Sequence, residues 1–123
     1  MAAMYMYMDL FWDSLVGLMV LFIGANASNL VFKIRDERYY GVYHFAGGFL
    51  MTLFLFSVFG DKWLALALAV VTGLLWEVYE WLLWKYFLKK KKYKPQRQDT
   101  INDLFLDFLG GLTAVMILFF RGP

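Results

Sequence analysis

No cysteine occurs in the 123 residues, which excludes disulfides, thiolate metal sites and cysteine nucleophiles. Redox compartment therefore leaves no mark on the chain. Histidine occurs once, at His44, so haem ligation by two imidazoles of one chain is excluded. The first apolar run has no basic stretch before it and carries Asp9 and Asp13 instead. A cleaved signal peptide needs the opposite pattern, so this run is predicted to be a permanent span. Lys and Arg are missing from the deep parts of every apolar run, and no internal repeat or low-complexity tract is present. Residues 1–123 read as a single transmembrane domain.

Apolar residues are what the chain has in excess: 62% are hydrophobic and 21% aromatic. A chain this short has no core large enough to hide them, which makes lipid the expected solvent. Runs at about 10–32, 42–59, 63–87 and 101–120 predict an all-α integral membrane bundle of four transmembrane helices. Gly60-Asp61-Lys62 is a tight turn, and Pro95 ends any helix that reaches it. Ser14, Gly17, Gly24 and Ser28 form a small-residue stripe on the first helix. Such stripes let membrane helices approach closely.

Formal net charge is only +2, but the basic residues are clustered. All twelve except Lys62 and Arg121 sit in or beside the first and third loops. The positive-inside rule then puts loops 1 and 3 in the cytoplasm and both termini outside, in the plasma (inner) membrane. The lysine run Lys89–Lys92 is read as topology and attraction to anionic lipid headgroups. No soluble fold is expected to present it to nucleic acid.

Against this background the segment Trp76-Glu77-Val78-Tyr79-Glu80-Trp81 places two acids inside an apolar span. Ionisable groups there are costly and default to function. Ala65, Ala69, Gly73, Glu77 and Glu80 follow one another at helical spacing and share a side. Asp103 and Asp107 lie about 40° apart on the fourth helix, on the face of Gly110, Gly111 and Ala114. At ~1.5 Å rise per residue, His44 and the four acids all fall in the half of the bilayer next to loops 1 and 3. Asn29 lies near the level of His44. The expected result is a funnel open to the cytoplasm, lined by His44, Glu80, Asp103 and Asp107, with Glu77 deepest.

Four carboxylates this close cannot all stay ionised in low dielectric unless a cation sits among them. Oxygen ligands with one imidazole suit Mg²⁺, Mn²⁺, Zn²⁺ or Fe²⁺, and acids on facing helices are how bundle metal sites are built. His44, Glu77, Glu80, Asp103 and Asp107 are the candidate ligands, with His44, Glu77 and Glu80 also candidates for the chemistry. The bland alternative is a structural polar core of protonated acids. Asp99-Thr100 reads as an N-cap, with Asp103 completing a box-like pattern.

Three ordered motifs carry a family resemblance: His44-Phe45-Ala46-Gly47-Gly48-Phe49, the Glu-x-x-Glu segment, and Asp99-Thr100-Ile101-Asn102-Asp103 followed by Gly110-Gly111-Leu112-Thr113-Ala114. Over about residues 43–118 the chain resembles the YjdF family of small bacterial inner-membrane proteins, in the neighbourhood of VanZ-like proteins. The resemblance implies that His44, Glu77, Glu80, Asp99, Thr100 and Asp103 matter. Asp107 stands where proteins resembling the family often carry another residue, and the chain reads as shorter than typical members, without their extra N-terminal helices. It brings no settled activity.

Three functions follow as expectations. The first is a metal-dependent hydrolase or transferase acting on a lipid-linked or prenyl phosphate, with membrane lipids as its partners. The second is a proton or divalent-cation transporter or channel, working as a homo-oligomer. The third is a small structural subunit of a larger membrane complex. Between Asp61-Lys62 and Glu77 the third helix has no ionisable group, which favours a dead-end pocket over a path across the membrane.

Overall fold

The computed structural model describes residues 2–33, 36–88 and 97–121, with the side chains of 2, 3, 37, 88 and 97–99 excepted. The described residues form α1 (Ala2–Leu30), α2 (Glu37–Phe59), α3 (Lys62–Leu83) and α4 (Arg97–Arg121). A single π-helical turn, Trp84–Leu88, continues α3. All four helices are long and apolar enough to cross a membrane, over Met4–Leu30, Arg38–Phe59, Lys62–Phe87 and Thr100–Arg121. Helices apolar on every face belong in lipid, and the exposed side chains, Val20, Ile23, Val71 and Phe105 among them, are those of a lipid-facing surface.

The helix ends are set by local chemistry. Asp36 caps α2 by accepting from the Arg38 backbone N–H at 2.9 Å. Asp61 caps α3 by accepting from the N–H groups of Trp63 and Leu64 at 3.0 and 3.1 Å. Between them Gly60 adopts φ 75°, and its N–H donates to the Phe56 carbonyl at 2.8 Å. That left-handed conformation closes α2 and is inexpensive only for glycine.

Several boundaries differ from the expected ones. α1 begins at Ala2 rather than near Leu10, because its first residues, rich in Met, Ala and Tyr, extend the helix ahead of Asp9 and Asp13. It stops at Leu30, leaving Val31 and Phe32 beyond its end. α2 begins at Glu37, five residues before Val42, because the Asp36 cap starts it inside the charged loop. α4 begins at Arg97, so Asp99 and Thr100 stand inside its first turn and not at an N-cap. The basic run 89–94 lies outside the described residues.

The bundle is centred on α2, which packs against α1, α3 and α4, and α3 also packs on α4. Its core is made largely of small residues: Ala65, Ala69 and Ala114 are buried with Leu66 and Val115. In lipid, close backbone approach and dispersion hold helices together, so small side chains do the packing that large ones do in water. At the α2–α4 crossing, a Cβ added to Gly48 would fall 2.1 Å from the Asp107 carbonyl oxygen. One added to Gly110 would fall 2.0 Å from the Phe45 carbonyl oxygen. The two helices therefore meet backbone to backbone.

The expected stripe on α1 is the face that packs. Ser14 and Ser28 are buried, and a Cβ on Gly17 would reach Leu50 at 2.9 Å. Ser14 Oγ donates to the Leu10 carbonyl at 2.5 Å and so adds no unsatisfied group to that face.

Candidate functional site

The glycine crossing positions the site. His44 stands one turn before Gly48 on α2, and Asp107 stands one turn before Gly110 on α4. Bringing the two glycines together therefore brings imidazole and carboxylate together. On α3, a Cβ at Gly73 would fall 2.3 Å from Asp107 Oδ2, so the Asp107 carboxylate occupies the notch that this glycine leaves. Glu77 follows Gly73 by one turn and reaches the same imidazole.

His44 Nδ1 lies 3.1 Å from Asp107 Oδ1. On the opposite edge of the ring, Nε2 lies 3.2 Å from Asp103 Oδ2 and 3.9 Å from Glu77 Oε1. His44, Glu77 and Asp107 are 9%, 8% and 6% exposed, so this chemistry is buried within the bundle. His44, Glu77 and Asp103 each offer one ligand atom, all within 4.8 Å of one another. Glu77 Oε1 and Asp107 Oδ2 are buried oxygens without a hydrogen-bond partner among the described residues. Among those residues, the ion pairs of Glu77, Asp103 and Asp107 are all with His44.

Gathering three carboxylates, two of them buried, around one imidazole is costly unless protons or a cation offset the charge. The donor geometry suits a cation. With bonds of 2.0–2.2 Å, one ion reaches two donors only if they lie within about 4.3 Å of each other. His44 Nε2 satisfies this with both Asp103 and Glu77. Asp107 meanwhile sits at Nδ1, and a ring proton on that nitrogen would leave the Nε2 lone pair directed at the other two acids. A carboxylate behind a histidine ligand in this way fixes its tautomer and orientation.

The remaining candidates are placed differently. Glu80 is half-buried, and its Oε1 accepts from Trp76 Nε1 at 2.8 Å, apart from the three-donor group. Thr100, in the first turn of α4, reaches the side chain of Glu77. Asn29 lines the adjoining cavity. The Asp99 side chain lies outside the described residues.

That cavity, of about 540 Å³, lies among α1, α2 and α3. His44, Glu80 and Asp107 form part of its wall, whereas Asp103 and Glu77 do not. Asp103 meets the imidazole at Nε2, on the ring edge opposite to Asp107.

Several polar partners escape notice in the sequence. Trp76 orients Glu80, and Tyr79 Oη donates to Asn26 Oδ1 at 3.5 Å across to α1. The hydroxyls of Ser28, Tyr39 and Tyr43 form a chain with steps of 2.7 and 2.9 Å. Spacing alone could have suggested Trp76 with Glu80 and Tyr39 with Tyr43, since both pairs are four residues apart on a helix.

Among known families, the one described as Predicted membrane protein (DUF2238) matches residues 1–122, all four helices included. No curated protein and no solved structure matches the chain.

Proposed function

This chain belongs to that family of predicted membrane proteins, and we propose that it binds a divalent metal through His44 Nε2, Glu77 and Asp103 and acts on a lipid-linked or prenyl phosphate. The observation that carries this reading is the convergence of one imidazole and two carboxylates on a single point, with a buried Glu77 oxygen left unpartnered beside them. Three protein ligands leave coordination positions open, as catalytic sites do and closed structural sites do not. When bound, such an ion supplies Lewis acidity toward a phosphate oxygen or a water.

The chain's own residues divide the other tasks. Asp107 holds the His44 ring, and Thr100 steadies Glu77. Both nitrogens of His44 face carboxylates, which leaves it poorly placed to move a proton as well. Glu80 faces the cavity with one oxygen held by Trp76, and is the acid suited to accept a proton there. The lysines that follow α3 in the sequence support an anionic substrate gathered at that end of the bundle. The same clustering supports loops 1 and 3 in the cytoplasm, termini outside, and residence in the inner membrane. The ordered motifs support a YjdF-like place within the family. A homo-oligomer or a larger complex is compatible with the broad apolar surface.

The deciding experiment is elemental analysis of detergent-purified protein, with Glu77→Gln and Asp103→Asn beside the wild type. Stoichiometric Mg, Mn, Zn or Fe in the wild type, lost in both variants, is the expected result. Phosphate release from a prenyl phosphate, abolished in the same variants, would then identify the reaction. If all three proteins fold but hold no metal after incubation with each ion, the reading fails. An imidazolium clamped between Asp103 and Asp107 as a structural core would replace it.

A further inference from the structure

The cavity beside the cluster is graded in polarity. Its lining runs from Leu15 to Asn29 on α1, from Tyr40 to Phe54 on α2 and from Ala69 to Leu83 on α3. Each stretch is about 21 Å long at the helical rise, so the cavity is a slot parallel to the helices. Polar groups gather at the end nearest loops 1 and 3, where Asn29, Tyr40, His44 and Glu80 stand. The other end, reaching toward the middle of the bilayer, is walled by Leu15, Leu18, Met51, Phe54 and Ala69. A volume of about 540 Å³ with mainly apolar walls and a few convergent polar groups is that of a small-molecule site.

The slot has a route from lipid. α1 and α3 both lean on α2. The space between them is spanned by the edge-to-face pair of Phe22 and Trp76, with ring centroids 5.9 Å apart, and by the long Tyr79–Asn26 bond. Side chains of this kind can swing aside without breaking a backbone contact. Phe22 and Tyr79 are themselves exposed to the lipid side. On the inner wall Gly47 leaves room, since a Cβ there would meet nothing within 4 Å.

We infer that this slot receives the hydrocarbon chain of a membrane amphiphile, which enters between α1 and α3 and places its polar head at His44, Glu80 and Asp107. The direction of the gradient is that of a lipid in the leaflet nearest loops 1 and 3, so the chain enters without turning over. Placing a phosphate head at the cluster rests on the metal reading above. The chain slot does not.

Photolabelling in nanodiscs tests both separately. Two probes carry a diazirine at the end of a long alkyl chain, one an alcohol and the other its monophosphate. With either probe, adducts should concentrate on Leu18, Met51, Phe54 and Ala69. Labelling there should fall about tenfold in Gly47→Leu, whose side chain takes up slot space, the equivalent of about 1.4 kcal/mol of lost binding. Thr72→Phe narrows the slot from the opposite helix at a part-buried position and should lose labelling in the same way, which guards against one variant failing to fold. Val42→Leu, on the lipid-facing surface, should leave labelling unchanged. Adducts spread evenly over lipid-facing Val20, Val71 and Phe105, with no loss in either slot variant, would overturn the inference. Slot labelling by both probes with no gain for the phosphate on adding Mn²⁺ would sink the metal reading and leave the slot standing. A Mn²⁺-dependent gain without slot adducts would do the reverse.

Discussion

Replacing Gly48 by alanine adds one methyl group at the point where α2 and α4 meet. Its Cβ would fall 2.1 Å from the Asp107 carbonyl oxygen and 2.8 Å from the carbonyl carbon, both of them backbone atoms that cannot swing away. The helices must separate by more than an ångström to restore ordinary contact. Overpacking of this kind costs about 1–3 kcal/mol, and the better helix propensity of alanine returns up to about 1 kcal/mol. A net loss of about 2 kcal/mol is expected for Gly48→Ala. At the neighbouring Gly47 an added Cβ meets nothing within 4 Å, so Gly47→Ala keeps only the favourable term and gains up to about 1 kcal/mol. Two adjacent glycines should therefore respond with opposite signs. Thermal unfolding in detergent reads the difference, at about 4 °C per kcal/mol for a chain of this size. The separation should also draw His44 away from Asp107, now 3.1 Å distant, so metal uptake should weaken in Gly48→Ala. Equal shifts in the two variants, or an unchanged Gly48→Ala, would show that the helices do not cross through these glycines.

Three further outcomes are expected. Asp107→Asn keeps the shape beside Gly73 but loses the charge that orients His44, so metal affinity should drop by about 10–100-fold with little change in folding, as measured by calorimetric titration. Unchanged affinity would remove Asp107 from its positioning role. Trp76→Phe deletes the indole N–H that Glu80 accepts at 2.8 Å and should lower stability by about 1–3 kcal/mol, read by thermal unfolding. Gly60→Ala forces a side chain into φ 75° and should cost about 1 kcal/mol, whereas Gly60→Asn should cost less, because asparagine tolerates that conformation.

The membrane architecture was legible because apolar length is a one-dimensional property. Four runs separated by charged or turn residues become four helices whatever their packing. The buried face of α3 was legible too, since Ala65, Ala69 and Glu77 repeat at helical spacing, and all three are buried. Which helices touch was less accessible. That α2 sits at the centre follows from where the backbones cross, and the contacts of Gly48 with the Asp107 backbone and of Gly110 with the Phe45 backbone can be recognised only once both helices are placed. The division among the acids was hidden for the same reason. Glu77 and Glu80 look equivalent in a Glu-x-x-Glu segment, yet the 60° or so between them sends one toward His44 and the other to Trp76 and the cavity. The start of α4 was misjudged because Asp99-Thr100 has cap chemistry, and the helix nevertheless begins earlier, at Arg97.

The three-donor group and the acids around it come from α2, α3 and α4, while α1 contributes no ionisable side chain to them. Asp9 and Asp13 on α1 are exposed and lie toward the opposite end of the bundle. α1 instead supplies Leu15, Leu18 and Phe22 to the slot and docks chiefly on α2. α1 thus lines the slot without supplying a ligand atom, whereas α2 and α3 do both. If the slot holds a hydrocarbon tail as inferred, mutations along the first helix would retune which tail is admitted and leave the three-donor group in place.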